Sequence, residues 1–140
     1  MDYPGEQFAE QYSEPVQRGA EALDRLCGTV GIIPCNWREI IDGKTLDLAN
    51  GEKCVLGQAG ADYSRETGSG GYPLDYWDVL SQLIEAEGIA LPKETYAKEL
   101  ARTAWAVEHG FTIPADKSVS PANKQHWNAL THAWRKLLGI

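Results

Sequence analysis

Four stretches of this chain place apolar side chains at three- and four-residue intervals, the period of an amphipathic helix and not of a strand. Val16, Ala20, Leu23 and Cys27 form the first stripe, from Pro15 to the stop at Gly28. Asp75 is placed to cap a second helix, with Tyr76, Trp77, Leu80, Leu83 and Ile84 on one face and Gly88 as its end. After Pro92, Tyr96, Leu100, Thr103 and Val107 repeat toward Gly110 on an alanine-rich background, which predicts a third helix with those four residues facing the core. Ser120 as cap and Pro121 at the first position open a last helix. It carries Trp127, Leu130, Thr131, Trp134, Leu137 and Leu138, with Arg135 and Lys136 in its final turn. A shorter helix is predicted after Asn36, with Glu39 as its reciprocal capping partner, burying Trp37, Ile40 and Ile41 before Asp42-Gly43. The expected fold is mainly α, a compact bundle of about five helices packed helix on helix.

Two segments are less determined. Thr45-Leu46-Asp47-Leu48 alternates with period two, and Asn50-Gly51 turns into Cys54-Val55-Leu56, so either a short β-hairpin near residues 45–57 or a helical turn satisfies the pattern. Residues 1–14 read as a polar N-terminal arm with isolated aromatics, and 15–140 as a single helical domain, the size expected for 140 residues. The apolar runs are too short to span a bilayer. The opening residues lack the basic and apolar regions of a secretory signal, which points to the cytoplasm.

Twenty acidic and thirteen basic side chains give a net charge of -7, the opposite of a nucleic-acid-binding footprint. The bases Lys117, Lys124, Arg135 and Lys136 leave the last thirty residues net positive, read as a solvated basic face, with a small-anion contact as the functional alternative.

Few residues are placed for catalysis. His126 and His132 are six residues apart, about 120° out of phase on a helix, and His109 belongs to another helix end, so the histidines read as surface and helix-terminal groups and no metal is expected. Cys27, Cys35 and Cys54 form no C-x-x-C pair, and in a reducing compartment they are expected as thiols. Cys35, directly before the Asn36 helix, is the best-placed nucleophile, yet no histidine can be set beside it; Cys54 reads as a buried small hydrophobe. Gly68-Ser69-Gly70-Gly71 lacks the following Lys-Ser or Lys-Thr of a phosphate loop and is a connector. Neither a catalytic set nor a cofactor is expected. Among five tryptophans, Trp105 alone falls off the predicted apolar faces, making it the foremost candidate anchor for a protein contact. Tyr63, Tyr72 and Tyr76 around the glycine loop form a second candidate surface.

Trp37-Arg38-Glu39-Ile40-Ile41-Asp42, then Leu46-Asp47-Leu48, then Cys54-Val55-Leu56-Gly57-Gln58 with Tyr63 resembles a group of small uncharacterised proteins encoded by actinobacteriophages and actinobacteria. His109-Gly110-Phe111 and Leu130-Thr131-x-x-Trp134 are similar to the same group, so the resemblance covers about residues 36–64 and 108–136. Many members have a second cysteine close before the Cys-Val-Leu-Gly-Gln run, where this chain has Gly51, Glu52 and Lys53, and the difference argues further against a metal or redox role. The motif residues are mostly apolar or helix-capping, a structural signature rather than a catalytic one. The resemblance implies a phage-type accessory protein, and the lack of a catalytic set implies action by binding a host or phage protein, with self-association also compatible. Two alternatives stay open: an acidic mimic that blocks a nucleic-acid-binding protein, and a Cys/His-dependent enzyme.

Overall fold

The computed structural model describes residues 9–29, 33–50, 53–59 and 76–140, and among these every regular element is helical. A 3₁₀ turn, Glu10–Tyr12, runs directly into α1, Ser13–Leu26; then come α2, Trp37–Ile40, and a helical turn over 55–59. The second half holds α3, Tyr76–Ala86, α4, Thr95–Glu108, the one-turn α5, Ala115–Ser118, and α6, Asn123–Leu138. Mainly helical architecture is thus as the periodicities require, and no helix is long and apolar enough to cross a membrane among the described residues.

Among the described residues of the 45–57 segment no strand forms. Leu46 and Leu48 are both buried, as their alternation requires, and their own backbone groups find partners on α6, Leu48 N–H donating to Thr131 Oγ1 at 3.1 Å and Leu46 C=O accepting from Arg135 Nη2 at 3.2 Å, while Asp47 N–H between them donates to Lys53 O at 3.3 Å. Asp47 closes the next turn by accepting from Ala49 N–H, and the chain then enters the 55–59 turn. Alternation here reflects a turn-rich loop laid across a helix, in which α6 side chains supply part of the backbone's hydrogen bonds.

α1 and α6 form the centre. Tyr12 meets His126, and further along Gly19 lies against Trp134, so the two helices run parallel. Val16, Ala20, Leu23 and Leu26 of α1 and Ala129, Leu130, Ala133 and Trp134 of α6 are buried. Gly19 and Gly110 permit the third contact, with the end of α4. A Cβ on Gly19 would lie 2.1 Å from His109 O, and one on Gly110, at φ +71°, would lie 2.7 Å from Val16 N. Gly110 therefore both ends α4 through its left-handed backbone and lets that end touch α1. α3 packs along α4, joined by an Arg102 to Ser81 hydrogen bond at 3.2 Å.

The motif residues of the resemblance converge in space. Trp37 packs edge-on against Trp134, with centroids 6.3 Å apart, and Trp134 stacks on Phe111 at 5.6 Å while its indole N–H donates to Gly110 O. Gln58 accepts from Asp42 N–H at 2.6 Å and donates to Lys53 O at 2.8 Å, tying the two ends of the middle loop. These are packing and loop-closing roles.

The helix ends shift by a few residues. α4 starts at Thr95 rather than near Pro92 because Glu94 caps it, its carboxylate accepting from Tyr96 N–H at 3.0 Å and Ala97 N–H at 2.7 Å. α6 starts at Asn123, and Ser120 Oγ instead accepts from Ala122 N–H in the preceding turn. Asn36 precedes α2 without a side-chain capping bond. Asp75 and the glycine run lie outside the described residues.

Candidate functional site

Of the residues singled out as interface candidates, Trp105 is the one whose side chain lies among the described residues. Trp105 is buried, at 7% exposure, with its ring stacked between His109, at 3.8 Å, and Phe111, at 5.9 Å. It is a core residue, because α4 is rotated about half a turn from the orientation its larger apolar stripe implies. Trp105 and Ala106 face inward with Ala97 and Ala101 beside them, and the small alanines let α4 approach its neighbours closely. A single tryptophan buries roughly 150–250 Å², enough to outweigh a leucine and a tyrosine whose hydroxyl favours water. Tyr63 and Tyr72 lie outside the described residues. Tyr76 opens α3, and its side chain is likewise outside them.

The rotation leaves Tyr96 66% exposed and Leu100 54% exposed on the far side of α4, with Thr103 and Val107 half-buried on the same stripe. Their intervals of four, three and four residues are those of a coiled-coil seam, and Ala97 and Ala104 flank it. On α3, Trp77 is also exposed at 41%, contrary to its place on that helix's predicted inner face, with the Arg102 guanidinium 4.8 Å from its ring centroid.

The cysteines differ from expectation. Cys27 and Cys35 form a disulfide, with Cα atoms 5.0 Å apart, although nothing in their spacing marks them as partners. The turn after α1 and the approach to α2 bring them together, and Trp37 and Arg38 hold that approach by donating to the Asp24 carboxylate at 3.0 and 2.8 Å. The Arg38 hydrogen bond holds the Asp24 carboxyl below its usual range. Cys54 is buried, and burial pushes its thiol up to about 11, which leaves no thiolate for nucleophilic work near neutrality. Cys35, in the disulfide, has no thiol to ionise.

His126 is buried rather than superficial. Its Nδ1 lies 2.8 Å from the Tyr12 hydroxyl and 3.4 Å from Gln11 Nε2, hydrogen-bonded contacts whose donor and acceptor follow the imidazole tautomer. Burial pushes its pKa below the ordinary value, aided by Lys117 and opposed by Asp116. His109 is the lower plate of the Trp105 stack, and its Nδ1 bonds Trp105 O at 2.8 Å. Among the described residues no three His, Cys, Asp or Glu side chains converge as metal ligands.

The second surface feature is a groove of about 760 Å³ between α1 and α6. Val16, Ala20, Ala133 and Leu137 make its apolar floor, and Arg38, His132 and Lys136 bring three basic side chains to it. His132 and Lys136 are one turn apart on α6, so part of the basic C-terminal segment does gather on one face. Arg135 does not join it but turns to the Leu46 carbonyl. Neither Arg38's proximity to α6 nor the Cys27–Cys35 pairing is legible in the sequence, because both depend on contacts distant along the chain. No protein-family model, curated protein or solved structure matches the chain.

Proposed function

We propose that the chain is a small accessory protein of the phage type that acts by binding another protein through the outer stripe of α4, without catalysis of its own. The observation that carries this reading is the exposure of Tyr96 and Leu100 on a seam-spaced stripe while Trp105, on the opposite side, is buried. A partner helix with its own apolar seam fits such a stripe. The net charge of -7 favours basic residues on that helix's flanks, which steer the encounter. Support against a thiol-dependent activity comes from the burial of Cys54 and the pairing of Cys35.

The test is site-specific photo-crosslinking in actinobacterial lysate, with the reactive group at position 96 and, as control, at position 128 on α6. A discrete adduct from position 96 that disappears in a Leu100→Glu background is the expected result. Adducts equal at both positions, or insensitive to Leu100→Glu, would refute the α4 surface.

A further inference from the structure

The Glu10–Tyr12 turn meets α6 at a buried imidazole, where two of its side chains converge on one ring atom. The Tyr12 hydroxyl lies 2.8 Å and Gln11 Nε2 3.4 Å from His126 Nδ1, and the Tyr12 ring stands edge-on to the imidazole with centroids 6.0 Å apart. We propose that His126 is an acid-sensitive latch: its protonation releases the Glu10–Tyr12 turn from α6 while the helical body stays folded.

The first ground is where the attachment lies. Beyond the turn, α1 is held by contacts that do not involve His126. Val16, Ala20, Leu23 and Leu26 are in the core, Arg18 Nε donates to Glu108 O at 2.8 Å, and Cys27 is bridged to Cys35. Tyr12 is the buried residue of the turn, so release withdraws one side chain from the core and leaves the α1 contacts in place. A three-residue turn with one buried side chain opens locally more readily than a helix with several. Ala9, Glu10 and Ser13 wall one end of the α1–α6 groove, and release therefore opens that end and bares the Tyr12 ring.

The second ground is the charge balance around the ring. Burial disfavours the imidazolium, Lys117 of α5 adds to this and Asp116 opposes it, so the ring takes up a proton less readily in place than in water. Opening the turn hydrates the ring and relieves that penalty. The closed form is thus fully favoured above about pH 6.5 and loses ground as pH falls toward the folded value, the open fraction rising by up to about tenfold per pH unit in between. Tyr12 does not titrate in this window, because burial and Asp116 push its hydroxyl up to about 12. At this end of the packed helices the other ionisable groups are Glu10 on the turn, Lys124 on α6, and Glu14 and Arg18 on α1, which pair with each other at 3.9 Å.

Native-state amide exchange by NMR, corrected for the intrinsic rate, tests the latch in the full chain. Ser13 N–H, which donates to Glu10 O across the turn, is the reporter. Its protection should fall by about fivefold or more from about pH 7.5 to about pH 5, level off where the His126 ring signals titrate, and stay unchanged in sub-denaturing urea. The core amides of Leu23 and Leu130 should exchange more slowly and with a urea-dependent rate, as global opening requires. His126→Gln should abolish the pH dependence at Ser13. Lys117→Gln, a change at a partly exposed side chain that leaves the core intact, should move the levelling point to higher pH. The proposal is overturned if Ser13 protection does not depend on pH, or keeps that dependence in His126→Gln. It is equally overturned if Ser13 shares the urea dependence of the core amides, or if Lys117→Gln leaves the levelling point unmoved or lowers it.

Discussion

At the scale of single residues, the fold depends on two places where a side chain cannot be added. Gly19→Ala would drive a Cβ into the His109 carbonyl, a backbone atom that cannot step aside, and should lower the unfolding free energy by about 1–3 kcal/mol or more in urea titration. Gly28→Ala, where nothing lies within 4 Å, should be close to neutral. His126 makes stability depend on pH. Its folded pKa is below the ordinary 6.5, so the unfolded chain takes up a proton more readily, and the stabilisation is complete above about 6.5 and lost as pH falls toward the folded value. Protonation makes both ring nitrogens donors and so changes what the Tyr12 hydroxyl and Gln11 amide beside Nδ1 can bond. Chemical unfolding at several pH values between 5 and 8 should show this slope in the parent protein and a shallower one in His126→Gln, with Asp116 and Lys117 modulating both.

At the scale of elements, the Cys27–Cys35 bridge closes a short loop between α1 and α2. Loop-closure entropy gives it about 2–3 kcal/mol, and Cys27→Ser or reduction should cost that much in unfolding free energy. The expectation of three thiols rested on an odd cysteine count, the lack of a C-x-x-C pair and an assumed reducing compartment, and an eight-residue separation carries no signal of its own. Helix positions were legible because each stripe is long and punctuated by glycine. Orientation was legible for α1 and α6, where the apolar stripe and the bulky residues coincide. It was not for α4, where four medium-sized side chains and one tryptophan lie on opposite faces and burial of Trp105 decides the outcome. The 45–57 segment failed for a related reason, since period-two alternation records burial of Leu46 and Leu48 but not whether a strand or α6 receives the backbone bonds.

At the scale of the whole molecule, the described residues of this acidic chain carry an apolar stripe on α4 and a groove with basic groups between α1 and α6. The candidate site was the least legible part: the stripe was assigned to the core, and the groove depends on Arg38 meeting α6 across the chain. If the stripe makes the protein contact, affinity should change little between about 0.05 and 0.5 M salt even as association slows, because apolar burial is unscreened. Steep weakening of affinity with salt would instead favour the acidic-mimic reading. The proposed protein contact rests on α4 turning its seam outward, and the unfolding free energy of Leu100→Glu reads that orientation directly. A value within about 0.5 kcal/mol of the parent is expected, beside a loss of about 3–5 kcal/mol for Trp105→Ala. A loss of about 3 kcal/mol or more in Leu100→Glu would place Leu100 in the core and contradict the proposed surface.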